Sequence, residues 1–396
     1  MEREGIVAVG ASGNGAEAIN AIMKPSWGSN VISVGAARSL GDFPDSLFYV
    51  GPPALSYSSS GPTEDGRCKP DLIAPGISLG PDGHSDEGYI RRPHGVGYSS
   101  FAAPQAAGAA ALLIDAARRY ELPEAEDPRV IKALLLNGAV KLTGWHKGGC
   151  DPEDDATTPL DYRQGAGLLN VWGSFRHLLA GRYGERPLVY DPNYLPGNYG
   201  WDRHRVSLDP NDPNCTRVYY LPEPLKEGEN FTATLCWYRH YRQEGIFVPL
   251  GLTTLTLELW SVDAQGQLRE RLEGSYSFRD NVQHIHYASS TKQQVVLLVG
   301  SAGEEASTGS EVYGLAYGCG QPGWSGDQYA GDLNADGLVG VEDLMRLLKA
   351  WWGDQRGGGP DGDDPSAADL DANGVVDKGD FDILRQQWQK RSPWRR

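Results

Sequence analysis

Short apolar runs broken by glycine-rich turns occupy the first part of this chain, and they predict buried strands rather than half-exposed ones. Gly5-Ile6-Val7-Ala8-Val9-Gly10 reads as a strand that ends in the turn Ala11-Ser12-Gly13-Asn14-Gly15, with Asn14 presented at its tip. Asn30 to Ala36 and Asp71 to Ala74 are further strands of this kind. Helical patterns alternate with them, as in an α/β parallel sheet. Ser99 and Ser100 stand at the mouth of an Ala-rich helix running past Gly108. Pro104 is expected in its first turn, where a missing N–H costs little. A second helix has Asp127 as its N-cap, Pro128 at its first position, Val130, Ile131, Ala133, Leu134 and Leu135 on its buried side, and Gly138 beyond its end. A third runs from Asn170 through Leu178-Leu179 to Gly181.

From about Pro187 the period changes to two. Leu255, Leu257 and Leu259 alternate with Thr254, Thr256 and Glu258, and Asp263-Ala264-Gln265-Gly266 supplies a turn. Phe231 to Trp237, Val295 to Val299 and Val312 to Tyr317 read as further strands, and together they predict a β-sandwich. His284 and His286 share one strand face, where two imidazoles can hold a metal only with a third ligand. An exposed face accounts for them equally well.

Composition narrows the partners. A formal charge of −16 argues against nucleic acid. No apolar run is long enough to cross a bilayer, and no charged-then-apolar leader precedes the first strand. The five cysteines are widely spaced without a C-x-x-C pair. They leave open a Cys215–Cys236 bridge or plain buried thiols.

The last part carries a duplicated acidic loop. Asp332, Asn334 and Asp336 place oxygens at positions one, three and five, Gly337 allows the turn at six, Leu338 offers its carbonyl, and Asp343 closes at twelve. Asp369, Asp371, Asn373, Val375, Asp377 and Asp380 repeat the pattern 37 residues later, the separation also of Trp351 and Trp388. Each loop leads into an apolar helix face, which predicts two calcium sites. Extracellular calcium fills even weak sites, which places the mature protein outside the cytoplasm.

Four segments of the first part resemble the subtilisin-like serine peptidases. Ala11-Ser12-Gly13-Asn14 matches the family's A-A-G-N oxyanion motif, Ser58 to Pro62 its S-x-x-G-P, Pro70 to Gly76 its P-D-x-x-A-P-G, and Ser100 to Gly108 its S-M-A-A-P-x-x-A-G. They fall in the family's order. The resemblance implies Ser100 as nucleophile and Asn14 as oxyanion donor. The family's usual Gly-Thr is replaced by Tyr98-Ser99, so Ser99 stands as the alternative nucleophile. The family's aspartate and histidine motifs precede the asparagine, yet residues 1–13 hold neither residue type. His94-Gly95-Val96 looks like the histidine motif but lies beside the nucleophile, where the family places no base. The expectation is the C-terminal part of a longer peptidase, inactive by itself, with D-T/S-G and H-G-T segments encoded upstream.

The duplicated loops resemble a type I dockerin, whose partner is a cohesin. Positions ten and eleven here are Val341-Glu342 and Lys378-Gly379 rather than the small hydroxyl residues frequent in that family. The expected organisation is a partial subtilisin-like α/β sheet over 1–185, a β-sandwich over 186–320, a linker over 321–328, a dockerin-like calcium module over 329–390, and a basic tail over 391–396. The implied function is secreted serine endopeptidase action on protein or peptide substrates, with docking to a cohesin-like or cell-surface partner. The alternative is a non-catalytic extracellular attachment protein that keeps the peptidase part as scaffold.

Overall fold

The apolar runs near the start pair as parallel strands. In the computed structural model, β1 (Ala8–Ala11) lies beside β2 (Val31–Ser39), with Ala8 opposite Val31. Past them β2 pairs antiparallel with the short β3 (Phe48–Tyr49) and parallel with β4 (Leu72–Pro75), Val34 opposite Leu72. Residues 31–37 are all buried, as a strand covered on both faces requires. The described residues are 5–15, 21–39, 48–49, 58–76, 78–81, 89–92, 98–142, 144–148, 155–184, 198–244, 246–302, 309–319 and 378. They belong almost wholly to one unit, 1–40 with 48–321; of the second, 41–47 with 322–396, only Lys378 is described.

Strands β5 (Ser78–Pro81) and β6 (Tyr89–Arg92) form a separate antiparallel pair. Helix α1 (Ser99–Arg119) packs Ala102, Ala106, Ala109, Ala110 and Leu113 into the same core as Ile32, Val34, Leu72 and Ala74. The helix starts at Ser99, so Pro104 sits one turn further in than the sequence suggested. Its absent N–H leaves the Ser100 carbonyl without a helical partner.

Helix α2 (Pro128–Gly138) starts where the Asp127 cap and Pro128 place it, with Arg129 N donating to Asp127 Oδ1 at 3.0 Å. Every residue from Val130 to Gly138 is buried. Gly138 falls inside the helix, not beyond it. A Cβ there would lie 2.4 Å from Ser174 N, so the glycine serves close approach to α3 (Val171–Leu179), itself capped by Asn170.

The period-two region forms two four-stranded antiparallel sheets. The strands are β7 (Gly200–Ser207), β8 (Thr216–Tyr220), β9 (Asn230–Trp237), β10 (Tyr241–Glu244), β11 (Ile246–Pro249), β12 (Leu255–Val262), β13 (Leu268–Ser275), β14 (Val282–Ala288), β15 (Val295–Ser301) and β16 (Ser310–Cys319). One sheet runs β14-β9-β16-β7 and the other β13-β12-β15-β8, while β10 and β11 pair by themselves. Leu255, Leu257, Leu259, Leu297 and Val299 of one sheet share a buried cluster with Phe231, Leu235, Ile285 and Leu315 of the other.

The opposite face of the first sheet is not solvent. Trp201, Cys236, Val282 and Ala316 join the core that holds α2. The cover on this face explains why β9 is buried from Phe231 onward and why His284 is 0% exposed, against the exposed face the sequence allowed. Cys215 and Cys236 are unbridged, which leaves the thiol reading.

Candidate active site

The turn after β1 and the start of α1 meet through hydrogen bonds. Ser99 N donates to Asn14 Oδ1 at 2.9 Å, and Ser99 Oγ lies 3.0 Å from the same oxygen and 3.1 Å from Gly13 O. Gly13 N in turn donates to Ser99 Oγ at 3.1 Å. With Oδ1 engaged twice, the Asn14 side chain is fixed and its Nδ2 remains the available donor. Only glycine fits at 13: φ is +112°, and a Cβ would lie 2.6 Å from Met23 Cγ and 2.7 Å from Ser59 Oγ.

The two candidate serines differ sharply. Ser99 is 0% exposed and its hydroxyl belongs to the turn. Ser100 is exposed, and its hydroxyl has no hydrogen-bond partner among the described residues. Its backbone N–H is one of the first-turn amides that lack an intrahelical acceptor. An attackable carbonyl beside Ser100 would therefore meet a hydroxyl, an unpaired amide and, one residue away, the anchor of Asn14. Ser99 holds the asparagine; Ser100 is the group presented.

Strand β4 braces this arrangement. Tyr98 N donates to Gly76 O at 3.1 Å, and Gln105 Nε2 donates to Pro75 O at 2.6 Å. Ser59 N reaches Gly13 O at 2.8 Å, while Ser59 Oγ accepts from Gly15 N at 2.9 Å. The S-x-x-G-P and P-D-x-x-A-P-G segments thus support the asparagine turn and the helix start, roles their spacing alone did not reveal.

The sequence reading overlooked a buried charge knot. Asp71 Oδ2 lies 2.5 Å from Lys69 Nζ, and Asp71 Oδ1 lies 2.8 Å from Lys132 Nζ. All three residues are buried. Asp71 also accepts from Ser33 N at 2.7 Å, and Lys69 donates to Val31 O at 2.9 Å. Burial would raise the Asp71 carboxyl, but Lys132 and Lys69 together hold it below the ordinary carboxylate value. Burial also pulls Lys69 down to about 8, against the attraction of Asp71. The knot ties β2, β4 and α2 together. Its signal was a Lys-x-Asp spacing around Pro70 and a lysine within an otherwise apolar helix.

Asn14 and Ser100 are thus on one turn–helix junction. His94 lies outside the described residues, as do the loop residues Asp332, Asn334, Asp336, Leu338, Asp343, Asp369, Asp371, Asn373, Val375, Asp377 and Asp380. Among the described residues no helix is long and apolar enough to cross a membrane.

Residues 1–167 match the Subtilase family of peptidases, and residues 330–387 match the dockerin type I domain. Pyrolysin of Pyrococcus furiosus is 32% identical over 212 residues, 48% of this chain and 14% of that protein. Serine protease AprX of Bacillus subtilis is 32% identical over 148 residues, 35% of this chain and 31% of the relative. The crystal structure of tripeptidyl peptidase 2 aligns over 79% of this chain and 32% of that one, at 16% identity and a TM-score of 0.26. The chain spans less than a third of each of these proteins.

Proposed function

We propose, for a chain that carries a subtilase peptidase segment and a dockerin type I domain, that it is part of a secreted serine endopeptidase whose nucleophile is Ser100. One observation supports the assignment above the rest: Asn14 is clamped through Oδ1 by Ser99, the residue that precedes the exposed Ser100, and the clamp does not use Asn14 Nδ2. Attack of Ser100 Oγ on a peptide carbonyl would break the C=O π bond and give a tetrahedral intermediate with negative charge on the former carbonyl oxygen; its collapse would break the C–N bond, release the amine with the proton taken from Ser100, and leave the acyl ester. Ser100 N–H and Asn14 Nδ2 would receive that charge. In subtilisin itself, loss of one such donor costs about 2.7–4 kcal/mol, a family figure and not one drawn from this chain.

The Ser100 proton must pass to a base, and among the described residues no imidazole bonds to Ser100. The catalytic step therefore needs a proton acceptor beyond those residues, in keeping with an aspartate and a histidine on further polypeptide. The two antiparallel sheets act in this reading as a β-sandwich module fixed to the peptidase part.

The C-terminal domain supplies calcium-dependent docking. Asp332, Asn334, Asp336, Asp343, Asp369, Asp371, Asn373, Asp377 and Asp380, with the Leu338 and Val375 carbonyls, form two all-oxygen donor sets suited to a hard cation. A cohesin-type module is the partner this class implies.

Fluorophosphonate labelling of the longest product of the reading frame tests the nucleophile. Ser100 should be modified, and Ser100→Ala should abolish the label while Ser99→Ala folds and retains it. A folded product without label at Ser100 would leave the attachment-protein alternative.

A further inference from the structure

Asn14 is followed by Gly15, one of three Asn-Gly pairs in the chain. The backbone nitrogen after an asparagine can attack that residue's own side-chain amide, because both groups belong to one short stretch of chain and a five-membered ring results. A glycine leaves the nitrogen unhindered and its backbone free to turn. The three pairs differ in setting. Asn137–Gly138 is buried inside α2, where the following N–H belongs to the helix ladder. Asn373–Gly374 lies outside the described residues. Asn14–Gly15 stands in an irregular turn, with Asn14 half-buried and Gly15 exposed.

Two sets of contacts act on this pair in opposite directions. Asn14 Oδ1 accepts from Ser99 N at 2.9 Å and lies 3.0 Å from Ser99 Oγ. Hydrogen bonds to that oxygen draw electron density from Cγ and meet the negative charge that builds on Oδ1 when a nucleophile adds there. On the other side, Gly15 N donates to Ser59 Oγ at 2.9 Å. Ser59 is 1% exposed, and its own N donates to Gly13 O at 2.8 Å, so the hydroxyl is held in place. A nitrogen whose proton is engaged in this way must give up that bond before it can attack. Ser99 prepares the carbon; Ser59 restrains the nitrogen.

We propose that Asn14–Gly15 is a self-modification site, at which the chain converts its own asparagine to aspartate or isoaspartate at a rate set by Ser59. Gly15 N gives its proton to hydroxide ion and adds to Asn14 Cγ. The Cγ–Nδ2 bond breaks, and Nδ2 leaves as ammonia with a proton from water, which returns the hydroxide. Water then opens the cyclic imide at either of its two C–N bonds, giving an aspartyl or an isoaspartyl link. No oxidant, reductant or second protein is needed. The nitrogen that leaves is the one assigned above as oxyanion donor. The consequence for activity rests on that reading: an acceptor carrying charge would stand where a donor is required. The modification itself rests only on the turn.

Incubation of the full chain in mildly alkaline heavy-oxygen water, followed by peptide mass mapping, tests the proposal. Asn14 should lose ammonia and take up one heavy oxygen, while Asn137 stays intact until urea unfolds the chain. Hydroxylamine added at intermediate times should cut the chain after Asn14, which marks the cyclic imide. Ser59→Ala should speed the conversion by about 2–10-fold, the factor that a hydrogen bond of ordinary net strength is worth. Asn137 should remain intact in that variant, which shows that its fold is kept. The comparison of Asn14 with Asn137 is made on unaltered protein and needs no variant to fold. An Asn14 as inert as Asn137 in the folded chain would overturn the site, and an unchanged rate in folded Ser59→Ala would overturn the role of Ser59. Fresh protein that fails to label at Ser100 would defeat the nucleophile reading and leave the mass result standing; an unconverted Asn14 beside a labelled Ser100 would do the reverse.

Discussion

The Lys69–Asp71–Lys132 knot and the His284–His286–Lys141 pocket both bury basic nitrogen near helix α2, yet they are finished differently. In the knot every charge meets an opposite charge or a backbone group within 2.9 Å. In the pocket three nitrogens meet none. Burial of ionisable groups is costly in both, and only in the first does the protein itself supply the compensation. The difference separates a cluster that compensates its own charges from one whose nitrogens stay neutral or unpaired.

The comparison is broken most directly by removing Asp71. Asp71→Ala leaves two buried lysines uncompensated and should cost about 3–5 kcal/mol in urea unfolding; a loss below about 1 kcal/mol would mean the knot is not a fastening. The second effect is in pH. Burial lifts Asp280 to about 6 despite hydrogen bonds from Ser277 Oγ and Cys68 N. A carboxyl raised on folding favours the fold below its unfolded value and loses that favour as pH climbs through 6. Stability should therefore rise as pH falls from about 7 toward 4, by on the order of 2–3 kcal/mol, and Asp280→Asn should flatten that slope. Asp71, depressed on folding, works in the opposite window: its contribution is present above about 4 and is lost as pH falls further. A single optimum near pH 4–5 in denaturant midpoints would show both.

Smaller effects sharpen the contrast. Ser99→Ala removes a buried hydroxyl that holds the asparagine turn and should cost about 0.5–1.5 kcal/mol, whereas Ser100→Ala should stay within about 0.5 kcal/mol. Thermal melts of the two variants check this. Smallest of all, Lys141→Met should be neutral or slightly stabilising, since it removes a buried amine without a hydrogen-bond partner. A marked loss would mean that Lys141 belongs with the knot rather than the pocket.

The junction of the Asn14 turn with the start of α1 was legible because its residues cluster in short ordered motifs whose spacing is tied to backbone geometry. Asp127 and Pro128 marked α2 because capping is a local event. What lay across the fold was not legible. Nothing near Lys132 announces Asp71 as its partner, since the two are brought together only when α2 settles on the sheet. Period two told which residues of β12 point inward, but β9 and β14 are covered on both faces. The polarity of His284 and His286 therefore suggested solvent where the structure places the Trp145 segment that follows α2. Gly138 misled for a related reason: a glycine that ends a helix and one that lets two helices touch look alike in sequence.

Helix α2 has no outward side. It is walled by the parallel sheet's core and by the residues of β9 and β16. Severing the polypeptide near residue 185 would strip one wall from the helix and leave each half with a raw greasy surface. Recombinant fragments divided there should precipitate or need each other to dissolve, and any evolutionary exchange of the β-rich portion would have to carry a matching helix with it.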